Sequence, residues 1–167
     1  MLGLERQEYV IHCWIIDPYV PLIARQMFFS QTTGNVISLF DYKTTQIKNF
    51  EVPTPLAGPL GMRIASDGAL WFTEQLANKI ARLNATDGSV EEYPLPLSLI
   101  TPTVMRAETE GRYLWFTATA ANALGRIDIY TGETATFTNP SPLSAPAEDD
   151  TDSKGNVCKW FHLISAR

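Results

Sequence analysis

The stretch Leu70-Trp71-Phe72-Thr73 decides the fold, because it returns 44 residues later as Leu114-Trp115-Phe116-Thr117. A fainter copy, Phe28-Phe29-Ser30, lies 43 residues before the first of these. Other residues repeat at the 44-residue interval, in the pairs Asn78 and Asn122, Ile80 and Leu124, Arg82 and Arg126, Leu83 and Ile127, Gly88 and Gly132, and Tyr93 and Phe137. A repeat length in the forties indicates a chain of stacked, equivalent modules.

Each module is predicted to contain four short β-strands. The β-prone runs of one module are residues 60–65, 69–74, 79–84 and 89–93. Between these runs, Ser66-Asp67-Gly68 and Thr86-Asp87-Gly88 place glycine where a tight turn needs a positive φ. Pro94-Leu95-Pro96 then ends the module, because proline lacks the N–H that a further strand would need.

The predicted fold class is all-β, a β-propeller of four-stranded blades in a single domain over residues 1–167. The expected blades cover about 20–55, 56–98, 99–142 and, incompletely, 143–167. No window shows the 3.6-residue apolar period of a helical repeat. Both faces of a blade pack on neighbouring blades, so we expect four side chains of one module to be buried: Leu70, Trp71, Phe72 and Ile80. The same burial is expected for Trp115.

The length of the chain raises a question of closure. At 44 residues per blade, 167 residues hold about four blades, whereas propellers usually close with four to eight. An open arc would expose two apolar sheet faces. Three interpretations stay open: a fragment, a homodimer whose second copy completes the ring, and a rare four-bladed ring.

Composition and the two termini narrow the possible partners. The net charge is −5 and no stripe of Lys and Arg is present, which argues against nucleic acid. Residues 9–16 are apolar but too short to span a bilayer, so no membrane partner is expected and we predict the outer strand of an incomplete blade there. Cys13 and Cys158 are expected to be free thiols in a reducing, cytoplasmic compartment. The alternative is a disulfide between them in a closed ring.

The end of the chain departs from the repeat. Residues 152–157 match the turn into a second strand, where Trp-Phe-Thr should follow at once. Instead Cys158-Lys159 precede Trp160-Phe161. Either a two-residue bulge re-aims this strand, or residues 158–167 are foreign to the fold.

The repeated strings carry a family resemblance. Residues 67–74, 78–83 and 91–96 read DGALWFTE, NKIARL and EEYPLP, and together they resemble a blade of the virginiamycin B lyase (streptogramin lyase) family. The unit over residues 114–140 is similar, and the resemblance extends over about 28–157. It implies a propeller and an enzyme that acts on a small natural product.

The resemblance also implies a set of site residues. In that family, magnesium-dependent opening of a cyclic depsipeptide uses a histidine after a blade-opening proline, a glutamate before it, and a glutamate soon after Trp-Phe. Here the residues after the prolines are Leu60, Thr103 and Ala147, and those before them are Gly58, Thr101 and Ala145. Only Glu74 matches, because its counterpart in the next blade is Ala118. We therefore expect no metal site and no cofactor.

Other candidates come from the first strands of the blades. Arg63 and Arg106 follow Met62 and Met105 at an interval of 43 residues, and from a central channel they could bind an anion or polarise a carbonyl. The alternative is an ion pair between blades. The predicted catalytic residues are Arg63, Arg106 and Glu74, and the predicted substrate-binding residues are Leu60, Met62, Thr103, Met105 and His12. His12 and His162 are the only histidines, and a structural role is the alternative for both.

Three functions remain open on the sequence alone. The favoured one is metal-independent, non-redox lyase or cyclase chemistry on a secondary metabolite, in the central cavity of a homodimer. The second is a magnesium-dependent C–O lyase whose missing residues come from other blades. The third is a non-catalytic propeller that binds a ligand or a protein. Fold alone does not choose among them.

Overall fold

The fold is seen in a computed structural model, which describes residues 12–13, 26–96, 100–140, 146–151 and 157–161. In these ranges the chain is all-β and forms three four-stranded sheets and one two-stranded sheet, every strand pair antiparallel. None of these ranges contains a helix of the length and apolarity that crossing a bilayer requires.

Each sheet is formed by strands that follow one another along the chain. The first sheet contains β1 (His12–Cys13), β2 (Gln26–Gln31), β3 (Val36–Asp41) and β4 (Gln46–Glu51). The second contains β5 (Pro59–Ile64), β6 (Leu70–Glu74), β7 (Lys79–Leu83) and β8 (Val90–Pro94). The third contains β9 (Glu108–Thr109), β10 (Tyr113–Ala118), β11 (Ala123–Asp128) and β12 (Thr134–Thr138). The fourth contains β13 (Pro146–Thr151) and β14 (Val157–Phe161).

The turn chemistry acts as the sequence predicts. Gly68 and Gly88 adopt φ of 77° and 82°, in the left-handed region that glycine enters without steric cost. The strands of the second sheet begin and end within one residue of their predicted bounds. The predicted propeller of four-stranded blades is thereby confirmed for the described part of the chain.

Strands from both ends of the chain join sheets. His12 pairs with Ser30 and Cys13 with Phe29, so this segment is the edge strand beside β2 in the first sheet. Its assignment as an outer strand that belongs to an incomplete blade stays a prediction. At the other end, β14 includes Cys158 and pairs with β13, so residues 158–161 join a sheet. The register shift lies in β13, between Pro146 and Glu148.

Two apolar cores lie between the first three sheets. The core between the first and second sheets contains Ile37, Phe50, Val52, Ala57, Met62, Leu70, Phe72, Ala81 and Leu83. The core between the second and third sheets includes Trp71, Ile80, Ile100, Met105, Leu114 and Phe116. Trp71 and Phe72 are adjacent in β6 and therefore point into opposite cores. The expected burial of Leu70, Trp71, Phe72 and Ile80 is confirmed, because none is more than 3% exposed.

Trp115 is less buried than Trp71. Trp71 faces the third sheet and is fully buried, whereas Trp115 is only half-buried. Trp115 occupies the same position in the repeat as Trp71, one blade later, and therefore faces the fourth sheet. The described residues contribute only β13 and β14 to that sheet. The same tryptophan in the same module thus has a different environment at the two places.

Side chains of the repeat also join one blade to the next. Ser30 Oγ donates to the carbonyl of Leu60 (3.2 Å), and at the same station Thr73 Oγ1 donates to the carbonyl of Thr103 (2.7 Å). Each hydroxyl thereby satisfies a carbonyl on the first strand of the following blade.

The repeated asparagines make a second kind of connection. Asn35 and Asn78 adopt φ of 56° and 58°, in a region that asparagine tolerates better than most side chains. Asn35 Oδ1 accepts a hydrogen bond from Ala57 N (2.8 Å), and Asn78 Oδ1 accepts one from Ile100 N (2.9 Å). These side chains fix the entry of the chain into the next blade.

Candidate functional site

The register of β5 and β6 separates the candidate residues into two groups. Pro59 pairs with Glu74 at what we call the upper end of the second sheet, whereas Arg63 pairs with Trp71 nearer the lower end. Four residues of extended strand correspond to about 13 Å. The structure therefore does not bring Glu74 and Arg63 into one site.

Glu74 is a buried carboxyl group without a hydrogen-bond partner. The residue is 0% exposed, and neither carboxylate oxygen has a hydrogen-bond partner. The pKa of Glu74 is raised to about 7, chiefly because the group is buried; the nearby Glu92 carboxylate also raises this pKa, and the charge of Lys79 lowers it. A carboxyl group in this state exchanges its proton near neutral pH.

The neighbours of Glu74 explain why it has no partner. Lys79 Nζ donates to Glu92 Oε2 and to Thr54 Oγ1, each at 2.6 Å. Thr54 in turn donates to Glu92 through its amide (2.9 Å) and its hydroxyl (2.8 Å). Burial acts to raise the pKa of Glu92, but the hydrogen bonds from Lys79 and Thr54 hold that pKa below its ordinary value. We call Thr54, Glu74, Lys79 and Glu92 the upper-end cluster.

The upper-end cluster holds two carboxyl groups in different protonation states at neutral pH. Glu92 is ionised and paired, while Glu74 is divided between its neutral and charged forms. Groups whose environments separate their pKa values in this way are suited to proton transfer, because one of them titrates near the working pH. Glu74 is therefore the strongest acid–base candidate in the described part of the chain.

Replacing Glu74 with glutamine should change how stability depends on pH. The folded-state pKa of about 7 exceeds the ordinary value of 4.5, so the fold favours the protonated acid. The stability tied to that proton is fully present below about pH 4.5 and is lost as pH rises through about 7. Relative to the wild type, we expect Glu74→Gln to gain about 2 to 3 kcal/mol of unfolding free energy between pH 5 and pH 8.

Urea unfolding at the two pH values measures this change. Glu133→Gln is the matched control, because Glu133 is exposed and lies at a turn of the third sheet. Parallel pH profiles for wild type and Glu74→Gln would show that Glu74 titrates as an ordinary surface carboxyl group.

Leu60 and Thr103 lie at the positions where the resemblance would place a histidine. Both are half-buried, and neither side chain is a base. Thr103 Oγ1 lies 2.7 Å from Thr117 Oγ1 and 2.9 Å from Thr119 Oγ1. Thr119 Oγ1 also donates to the carbonyl of Pro146 (3.1 Å). This group of hydroxyls was not predicted from the sequence, although threonine at the Thr73 and Thr117 stations was its visible signal.

For Arg63, the structure shows the ion pair between blades that was the alternative. Arg63 Nε lies 3.5 Å from Glu108 Oε2 of the third sheet, and Nη1 donates to the carbonyl of Arg106. Ser66 Oγ also donates to Glu108, at 2.5 Å. Arg106 is half-buried. Ligand binding or catalysis by either arginine stays a prediction.

The remaining candidates are two methionines and two histidines. Met62 and Met105 are 6% and 0% exposed and pack in the two cores. Their contact with substrate stays a prediction. His12 is described only through its strand pairing with Ser30, and its contact with substrate stays a prediction. His162 lies outside the described residues.

The described side chains do not fit a magnesium site by themselves. Among them, no three His, Cys, Asp or Glu residues converge on a common point. Glu74 offers one carboxylate, whereas Gly58, Leu60, Thr101 and Thr103 offer no carboxylate or imidazole at the matching positions. A hard divalent cation needs several oxygen ligands, and a single carboxylate does not supply them.

Comparison with known proteins identifies the family. The model of the virginiamycin B lyase family matches residues 19–166. The chain belongs to this family. Its members are thus the reference for the arrangement of the blades, and the resemblance carried by the repeated strings is confirmed.

Two curated relatives match parts of the chain. Virginiamycin B lyase from Nocardia farcinica is 37% identical over 70 residues, which are 42% of this chain and 24% of that protein. Virginiamycin B lyase from Saccharopolyspora erythraea is 49% identical over 41 residues, 25% of this chain and 14% of that protein. The matched segments therefore cover a minor part of each relative.

Solved structures extend the match to most of the chain. Virginiamycin B lyase from Staphylococcus aureus superimposes with a TM-score of 0.75 at 31% identity, covering 83% of this chain and 45% of that one. A catalytically inactive variant of the same lyase, crystallised with quinupristin, matches equally well. A streptogramin B lyase structure gives a TM-score of 0.72 at 26% identity, covering 84% and 52%. The chain spans about half the length of these proteins.

Proposed function

We propose that this chain acts as a non-redox lyase that opens a ring ester of a small cyclic natural product without a resident metal. Membership of the virginiamycin B lyase family supports lyase chemistry. The observation that carries the proposal is Glu74, a fully buried carboxyl group with a pKa of about 7 at the end of a blade. The described donor set, which does not form a metal site, supports the metal-free route.

In the proposed reaction a C–O bond breaks by elimination. The Glu74 carboxylate accepts a proton from the carbon between a carbonyl group and the carbon that bears the ester oxygen. The electron pair of that C–H bond forms a carbon–carbon double bond, and the ester oxygen departs as part of a carboxylate. No oxidant, reductant or water is consumed. A base whose pKa lies near the working pH serves this step best.

The neighbours of Glu74 supply the rest of the chemistry. Because Glu74 is fully buried between the first and second sheets, the ring ester must enter beside it at the upper end. Lys79 then lies next to the departing carboxylate, and its positive charge stabilises the charge that develops there. Thr54 and Glu92 hold the Lys79 ammonium in place.

The direct test is conversion of quinupristin by the purified chain, followed by chromatography and mass spectrometry. Elimination opens the ring without changing its mass, whereas hydrolysis adds one water. We expect a product of unchanged mass and new retention time, formed equally with and without a chelator. Glu74→Gln should lower the rate by at least about 100-fold, while Glu133→Gln should leave it unchanged.

Three outcomes would overturn the proposal. A product heavier by one water would indicate a hydrolase. Loss of activity on chelation would favour a metal-dependent lyase with ligands outside the described residues. No conversion by a folded chain would favour a propeller that only binds. The native mass of the same sample tests the proposed homodimer, in which a second copy completes the cavity.

A further inference from the structure

The repeat places an arginine at the same station in two blades, Arg82 in the second and Arg126 in the third. In the second blade a carboxylate pairs with the arginine at this repeat position. Arg82 Nε donates to Asp67 Oδ2 at 2.8 Å, and Trp71 Nε1 lies 3.3 Å from both oxygens of Asp67. The ring of Tyr93 stacks on Trp71 with 5.3 Å between centroids. The second blade thus shows what kind of group this station accepts.

In the third blade the aromatic rings are present, but no described side chain supplies the carboxylate. The Arg126 guanidinium carbon lies 4.5 Å from the ring centroid of Tyr113, 5.6 Å from that of Phe137 and 5.8 Å from that of Trp115. Trp115 Nε1 donates instead to Thr109 Oγ1 at 2.9 Å. Among the residues whose side chains are described, none accepts a hydrogen bond from Arg126 or pairs with its charge.

A comparison of the turns in the two blades shows which residue occupies the position of Asp67 in the third blade. Ala65 N donates to Ala69 O across one turn, and Thr109 pairs with Tyr113 across the other, so the two turns have the same length. The counterpart of Asp67 is consequently Gly111, which has no side chain to offer. Among the described side chains, Arg126 therefore has the aromatic rings of this repeat position but no carboxylate that corresponds to Asp67.

We propose that the Arg126 station binds the carboxylate of a small acid that carries a flat apolar group. The guanidinium is half-buried, and an ion partly removed from water gains from a carboxylate with two hydrogen-bonding oxygens. Phe137 is 44% exposed beside it and provides an apolar surface for the rest of the ligand. The site is independent of the proposed lyase chemistry, because it lies on the face of the third sheet away from Glu74.

Phenylacetate and its neutral analogue phenylacetamide form a matched pair of probes. They share the ring and differ in charge, so the comparison isolates the contribution of the carboxylate. Binding is followed through the indole N–H signal of Trp115 in nitrogen-15 NMR spectra, assigned with Trp115→Phe. We expect saturable shifts with phenylacetate and at least about tenfold weaker binding of phenylacetamide.

Two variants test the station itself. Arg126→Gln removes the cation and should weaken phenylacetate binding at least about tenfold. Phe137→Ala removes the apolar surface beside Arg126 and should weaken the binding of both probes. Lys43→Gln, at an exposed turn, is the control.

Equal binding of the two probes would overturn the proposal, since the rings alone would then account for affinity. Unchanged phenylacetate binding in Arg126→Gln would overturn it as well, because the anion would then bind elsewhere. These results leave the quinupristin assay unaffected, so failure of one proposal is distinguishable from failure of the other.

Discussion

Replacing Trp71 with alanine should lower the free energy of unfolding by about 3 to 5 kcal/mol. The Trp71 side chain is 0% exposed, packs in the core between the second and third sheets, and stacks on Tyr93. Its indole N–H also binds Asp67, which pairs with Arg82. The substitution therefore leaves a large cavity and removes a donor from a partly buried carboxylate.

Trp115→Ala is the matched comparison for this prediction. Trp115 is half-buried and donates only to Thr109, so we expect a loss of about 1 to 2 kcal/mol. Urea midpoints of the two variants measure the difference. Equal losses would contradict the distinction between the two blades, and losses under about 1 kcal/mol in both would contradict packing of blades face to face.

Gly61→Ala should be at least as damaging, with a loss of about 3 kcal/mol or more. A Cβ at Gly61 would lie 2.2 Å from the carbonyl oxygen of Thr103 and 2.9 Å from the amide nitrogen of Met105. These are backbone atoms of the next blade, so no side-chain rotation relieves the contact. The same substitution displaces the hydrogen bond from Gly61 N to Thr103 O, now 3.0 Å.

Gly34→Ala is the control for the effect of alanine itself. A Cβ there would approach Gln31 no closer than 3.5 Å, so the change should stay within about 1 kcal/mol. Thermal unfolding of both variants compares them. A well-folded Gly61→Ala protein would show that the second and third blades are not held backbone to backbone at this point.

The sequence was sufficient to predict the blades because the repeat is a packing motif. A strand that carries Trp71 and Phe72 side by side has to bury both faces, and the turn glycines mark where each strand ends. The same reasoning did not predict that Trp115 is less buried than Trp71, because the burial of a residue in the repeat depends on what packs against it. Sequence position alone contains no information about that neighbour.

The candidate site was predictable only in part. Glu74 was identified through the resemblance, but its lack of a partner depends on Lys79 being held by Glu92 and Thr54. Glu92 lies on another strand and Thr54 in a linker, so their contacts with Lys79 are seen only in the folded structure. The ion pair of Arg63 with Glu108 likewise crosses from one sheet to the next.

The asparagine connections have a consequence for how such a chain gains its order. Asn35 holds the amide of Ala57, and Asn78 holds the amide of Ile100, so each module contains the group that positions the start of its successor. Contacts between modules are then chiefly contacts between neighbouring modules, and folding can begin in one module and extend to the next. Each added module contributes its own increment of stability plus one interface.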